Sequence, residues 1–190
     1  MRRSELAHLL RAAATIAGDG RILVVGSQAI LGSHAEDELP VAAWISIEAD
    51  LVFLDPASGP EKADQVDGAI GELSHFHAQF SYYAQGVDMT TAKLPAGWKD
   101  RVVEFQPADS APATAVCLDK HDLVISKLVA MREKDLEFAM ALLRAGLVAT
   151  KVLRERAAAL DSAPPPTRRR VQSWIDAAAD RLSRLSEPDE

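Results

Sequence analysis

The chain is short of cysteine, of long apolar runs and of surplus positive charge. Cys117 is the one cysteine among 190 residues. It permits no internal disulfide, which excludes a small disulfide scaffold and makes a reducing, cytoplasmic setting the expectation. No apolar stretch approaches the roughly 20 residues that span a bilayer, so no membrane partner is expected. Met1-Arg2-Arg3 runs into an amphipathic pattern with Glu5 and His8, not into the apolar core of a secretory leader. The formal net charge of −7 argues against a protein that coats nucleic acid. The deficit is uneven: residues 1–150 hold 13 Lys and Arg against 21 Asp and Glu, and residues 151–190 hold 8 against 7. Any RNA contact therefore needs a local basic surface. Hydrophobic residues make up 48% and charged residues 26%, an ordinary globular balance. The length suits one compact domain, or a small α/β core with a helical extension.

The most informative stretch is 22–54. Ile22-Leu23-Val24-Val25 reads as a buried strand, and Gly26-Ser27 as a tight turn after it. Gln28 to Gly32 suits a short helix leaving that turn, whose unpaired N–H groups suit phosphate oxygens. Residues 34–40 are polar, end at Pro40 and read as a loop. Residues 45–53 then read as a second strand. Strand periodicity places Ser46, Glu48 and Asp50 on one face and Ile45, Ile47, Ala49 and Leu51 on the other. Two neighbouring carboxylates on one strand face repel each other. A hard divalent cation, Mg2+ or Mn2+, would offset that repulsion with oxygen ligation, making Glu48 and Asp50 candidate metal ligands.

Elsewhere the pattern is alternately helical and extended. Leu6, Leu9, Leu10, Ala13 and Ile16 form one face of a helix over 4–18, with Ser4 as its N-cap and Gly18 as its stop. Residues 60–73 suit a helix with Pro60 in its first turn and Ala63, Val66, Ile70 and Leu73 inward. His75-Phe76-His77, if extended, shows both imidazoles on one face. Leu94-Pro95-Ala96-Gly97-Trp98 is turn chemistry. Arg101 to Gln106 and Ala113 to Leu118 read as strands, and Glu104 is a candidate third metal carboxylate beside the acidic pair.

Asp119 opens a second constellation as the N-cap of a helix with Leu123, Leu128 and Met131 inward. In one continuous helix Asp135 would lie roughly 12 Å beyond Lys127. A break near Arg132–Asp135 would bring it back. The rest is helical: Leu136, Ala139, Met140 and Leu143 share a face, 150–160 form a short helix, and Pro164-Pro165-Pro166 breaks that run. Thr167 then caps a last helix striped by Val171, Trp174, Ile175, Ala178, Leu182 and Leu185. Arg168, Arg169, Arg170, Arg181 and Arg184 are candidate phosphate contacts or a solvated charged face.

The Gly26-Ser27 turn followed by Glu48-Ala49-Asp50 resembles the active site of the DNA polymerase beta superfamily of nucleotidyltransferases. The gap is longer here, and Glu48 stands where Asp is usual. With Lys127 on a helix and Arg132-Glu133-Lys134-Asp135 after it, residues 20–145 look like the AbiEii-type nucleotidyltransferase toxins. The resemblance implies a small mixed α/β sheet of about five strands over residues 1–118, with a helical part over 119–190 completing the site. It implies a nucleoside triphosphate (NTP) at Gly26, Ser27 and Lys127, and metal at Glu48 and Asp50. Lys127 would neutralise phosphate, and Asp135 would orient Lys127 or assist the attacking hydroxyl. The implied acceptor is RNA such as the tRNA 3′ end, and the implied partner a cognate antitoxin. Toxins of this kind are silenced by phosphorylation at a hydroxyl in this place, which points to Ser46. Two other readings stay open: a non-catalytic binding module on a degenerate nucleotidyltransferase fold, and a nucleotidyltransferase acting on protein or a small molecule.

Overall fold

Most of the elements expected from the sequence form, with differences at several of their ends and an unexpected short helix at Val41–Trp44. The computed structural model describes residues 1–186; residues 187–190, the end of the expected helical part, lie outside the described residues. The helices are α1 (Arg3–Ala17), α2 (Val41–Trp44), α3 (Gly59–Ile70), α4 (His75–Phe80), α5 (Lys120–Ala130), α6 (Glu133–Arg144), α7 (Thr150–Ala158) and α8 (Pro165–Ser186). The strands are β1 (Arg21–Val24), β2 (Glu48–Phe53), β3 (Tyr83–Gly86), β4 (Val103–Phe105) and β5 (Thr114–Cys117). Two compact units result: Met1–Ala92 with Lys99–Asp119, and Lys93–Trp98 with the chain from Lys120 onward.

The first unit is an α/β layer around one mixed sheet in the order β3-β2-β1-β5-β4. β1 pairs antiparallel with β2 and parallel with β5, while β3 is parallel to β2 and β4 antiparallel to β5. The register puts Ala49, Leu51, Val24, Cys117 and Ala84 on one face, all buried. Helices cover this face. An added Cβ on Gly86 would lie 2.7 Å from Ala63 Cα, so α3 sits directly on β3. Gly32, at the end of the 3-10 helix Ser27–Gly32, lies in the same way against Cys117. α1 packs on α3, and its Leu6, Leu9, Leu10 and Ala13 are fully buried.

Several local expectations are corrected. α1 begins at Arg3, so Ser4 lies in its first turn, and the Arg2 N–H is taken by the Glu5 carboxylate at 2.7 Å. β2 begins at Glu48, not at residue 45. The Ser46 carbonyl accepts from Gln28 Nε2 at 2.8 Å and from the Met1 amine at 2.8 Å, so it offers nothing to a strand ladder. Ile45 and Ile47, expected on the strand face opposite the carboxylates, are 65% and 47% exposed. Leu73 leaves the end of α3 with φ 63° and is 91% exposed. His75, Phe76 and His77 are helical, which turns the two imidazoles apart.

In the second unit, Leu123, Leu128, Phe138, Ala139, Leu142, Leu153 and Ala157 are buried. Leu94 and Pro95 are buried here too, and Ala96 N–H donates to Ala159 O at 2.8 Å. α8 starts at Pro165 and not after Thr167, because first-turn residues need no N–H partner and proline suits them. Val171, Ile175 and Ala178 form its buried stripe; the side chain of Leu185, the last expected member, lies outside the described residues.

The Gly86 contact is testable. Gly86→Ala should destabilise the protein by about 2 kcal/mol through overpacking. Gly68→Ala, in α3 with nothing near the new methyl, should stabilise it by up to about 1 kcal/mol. Urea denaturation of the two variants checks both signs.

Candidate active site

The turn after β1 is shaped by what stands opposite it. Val25 N–H donates to Asp50 O at 3.1 Å, which carries the β1–β2 pairing one residue beyond the strand. Gly26 follows with φ −79° and ψ −161°, extended backbone that any residue adopts. Glycine is needed here for space: an added Cβ would lie 2.6 Å from Asp50 Cγ and collide with the carboxylate itself. The Asp50 side chain thus lies over the Gly26 Cα. Ser27 opens the 3-10 helix, whose Ala29, Ile30 and Leu31 are fully buried. Gln28 is buried as well, and its amide ties this helix to Ser46.

Glu48 and Asp50 are half-buried on one face of β2. Val25, Leu23, Val52 and Val116 share that face and are buried. Across the β2–β3 pairing, Tyr83 stands opposite Glu48 and Gln85 opposite Asp50. The Tyr83 phenol feels the charge of the Glu48 carboxylate beside it. Burial first, then the charges of Glu48, Glu72 and Asp50, pushes its pKa up to about 12, so it remains a donor at neutral pH. Tyr83 and Gln85 were missed from sequence because their place depends on a long-range register. Glu104 is corrected. β4 is three strand spacings from β2, about 14 Å. Its exposed carboxylate lines a cavity with Arg3, Gly32, Phe105 and Asp109 instead.

Among the described residues no three His, Cys, Asp or Glu side chains cluster as a metal site. The pair alone fits Mg2+ or Mn2+, which bind through one or two carboxylates and take remaining oxygens from substrate phosphates and water. Ser46 sits just outside β2, where its Oγ accepts from Glu48 N–H at 3.3 Å. Cys117 is buried and its thiol pushed up to about 12 by that burial, which removes it as a nucleophile.

The second unit holds Lys127 and Asp135. α5 ends at Ala130, Met131 takes φ 56°, and Arg132 is extended ahead of α6. Of the two courses the sequence left open, a continuous helix and a break, the chain takes the break. It returns Asp135 to Lys127, with Nζ 3.0 Å from Oδ1. Arg132 closes the other side, its Nε 2.6 Å from Asp135 Oδ2. Asp135 is fully buried and Lys127 is 8% exposed. The Lys127 ammonium also lies 4.7 Å from the Phe138 ring centroid. Burial works against the charge on Asp135. The Arg132 bond and the Lys127 charge outweigh it and hold the carboxyl below its ordinary range. With both oxygens engaged and its basicity lowered, Asp135 suits orienting Lys127 better than accepting a proton. The basic residues of α8 are dispersed: Arg169, Arg170, Arg181 and Arg184 are exposed, and Arg168 lies 3.7 Å from Asp161.

A mixed five-stranded sheet with a Gly-Ser turn beside a strand of paired carboxylates is compatible with a small nucleotidyltransferase core. A family model described as "Nucleotidyltransferase of unknown function (DUF6036)" matches residues 4–174, and the chain belongs to that family. That membership supports nucleotidyl transfer in general and an NTP substrate. It does not extend to the AbiEii toxins in particular. No curated protein and no solved structure matches the chain.

The buried ion pair carries a pH signature. Asp135 ionises below its unfolded value of about 3.9, so its contribution is complete above that pH and is lost as pH falls through the lowered folded value. Asp135→Asn should therefore lose about 3–5 kcal/mol at pH 7, with the gap to wild type closing on acidification. Urea denaturation at pH 7 and pH 3 measures this; a gap of equal size at both would contradict it.

Proposed function

We propose that the protein transfers a nucleoside monophosphate from an NTP to an acceptor hydroxyl, with Glu48 and Asp50 as metal ligands. The observation that carries this reading is the Asp50 carboxylate lying over Gly26, which joins the turn and the acidic strand into one place. Membership of a nucleotidyltransferase family supports it. Gly26 and Ser27 receive the triphosphate. Mg2+ or Mn2+, when bound, neutralises the charge that develops on the phosphates. Lys127 contributes a compact cation to phosphate, and Asp135 holds its ammonium in place. The acceptor oxygen attacks the α-phosphorus, its proton passes to solvent or base, and pyrophosphate leaves with the cleaved bond's electrons.

The acceptor we propose is RNA, the tRNA 3′ end in particular, and the biological role that of a cytoplasmic toxin held by a cognate antitoxin. This rests on the resemblance of residues 20–145 to the AbiEii-type enzymes. Phosphorylation of Ser46 by that partner would add about −1.5 to −2 charge beside Glu48 and repel the triphosphate. Mass spectrometry of protein inhibited by its neighbouring gene product should find phosphate on Ser46. An unmodified Ser46 in fully inhibited protein would point to inhibition by direct binding.

Incubation with each labelled NTP, Mg2+ and total RNA tests the activity. Wild-type protein should label RNA from at least one NTP, and Asp50→Ala should not. Lys127→Ala should lower kcat by about 100-fold or more, the scale of one electrostatic donor. Lys127→Arg should not restore it, because a planar fork replaces a point charge. Wild-type rates in Lys127→Ala would return the lysine to a structural role.

A further inference from the structure

Two neighbouring tyrosines at the edge of the sheet turn to opposite sides. Tyr82 meets α1, where its hydroxyl lies 2.8 Å from His8 Nδ1. Tyr83 opens β3, the last strand of the sheet, in register with Glu48, and so points to the carboxylate face. Helix α4 straddles this edge. Its Phe76 ring lies 5.1 Å from His8 and 5.9 Å from Tyr82, centroid to centroid. The next residue, His77, lies 4.7 Å from the Tyr83 ring with the planes tilted by 46°. His77 is held on both sides: its backbone N–H donates to Ser74 Oγ at 3.1 Å, and its Nδ1 accepts from Leu73 N–H at 3.1 Å. Leu73 and Ser81, left-handed at φ 63° and 62°, bracket the helix. Such conformations at non-glycine residues persist only where the surroundings impose them. Tyr83 and His77 are each half-buried, so the pair is fixed in place and still meets solvent beside the acidic strand.

We propose that Tyr83 and His77 form the stacking platform for the terminal base of an RNA acceptor. The inference rests on the proposed reading of Gly26-Ser27 as the triphosphate site and of Glu48 and Asp50 as metal ligands. β1 ends at Val24, whereas β2 and β3 begin at Glu48 and Tyr83, so the turn, the carboxylates and Tyr83 lie in that order across one end of the sheet. At about 4.8 Å per strand, Tyr83 stands about 5 Å from Glu48 and about 10 Å from β1. Phosphoryl transfer sets the attacking and leaving oxygens in line, on opposite sides of the phosphorus. With pyrophosphate leaving toward the turn, the attacking hydroxyl approaches from the β3 side. The nucleotide that carries this hydroxyl then brings its base to Tyr83. Single-stranded RNA ends are held by stacking on tyrosine and histidine rings, and such stacking tolerates any base. A protein or small-molecule acceptor without a base would gain nothing from this pair.

The test gives the full chain, with Mg2+ and labelled NTP, two short single-stranded RNAs as acceptors. One ends in an intact nucleotide and the other in an abasic ribose that keeps its hydroxyls. Wild-type protein should show a KM about tenfold or more higher for the abasic RNA, with the KM for NTP unchanged. Tyr83→Leu should raise the KM for the intact RNA by a similar factor and should no longer distinguish the two RNAs. Tyr83→Phe should behave as wild type, since the ring is what stacks. A merely structural loss would weaken both RNAs alike and leave their ratio intact. Equal KM values for the two RNAs in wild-type protein overturn the platform, and this comparison needs no variant to fold. A Tyr83→Leu protein that still distinguishes them overturns it too. A rise in the KM for NTP in place of that for RNA assigns Tyr83 to the incoming base and overturns the acceptor role. In each of these cases, RNA labelling that still depends on Asp50 leaves the proposed activity standing. Wild-type protein that labels no RNA overturns that activity and the platform with it.

Discussion

The site depends on one close approach: the carboxylate of Asp50 occupies the space that a side chain on Gly26 would need. Backbone conformation does not require glycine there, since φ is −79°. What requires it is the sheet register. Val25 and Asp50 face each other across the β1–β2 pairing, so a side chain at 26 would displace the Asp50 carboxylate from where it lies. Twenty residues, Gln28 to Ile47, separate the motif's two halves, Gly26-Ser27 and Glu48-Ala49-Asp50, yet in the fold they are one object. The buried 3-10 helix after Ser27 and its Gln28 bond to Ser46 hold the two ends of that gap together.

The second unit solves a related electrostatic problem by different means. A buried aspartate is costly unless paired, and Asp135 has two cations on its two oxygens. The reversal at Met131 and Arg132 makes this possible, since a continuous helix would carry Asp135 away from Lys127. The outcome is an ammonium bonded to Asp135 and held against the Phe138 ring. In both units, charge is held by a backbone feature: a register in one and a helix break in the other.

Local periodicity made much of this legible. The inward faces of α1 and α3 at Leu6, Leu9, Leu10, Ala63, Val66 and Ile70 follow from spacing alone, as does the shared face of Glu48 and Asp50. The break before Asp135 was foreseeable because only a break could join it to Lys127. Long-range order was not legible. Glu104 has an acceptable face and the wrong strand, because parity says nothing about which strands are neighbours. Tyr83 sits beside Glu48 through a parallel pairing that no local pattern announces. Ile45 and Ile47 continued the alternation on paper, but the Ser46 carbonyl bonds Gln28, and the strand starts later. Leu73 likewise kept the helical spacing after the helix itself had ended at Ile70.

The most direct test of the account is Gly26→Ala, assayed for transfer of labelled nucleotide to RNA alongside thermal unfolding. The added methyl is compatible with the backbone at this position and incompatible with the Asp50 carboxylate where it lies. The account predicts a cooperatively folded protein whose transfer activity falls toward that of Asp50→Ala. A folded Gly26→Ala protein with wild-type transfer would contradict it, because the turn and the acidic strand would then not act as one site.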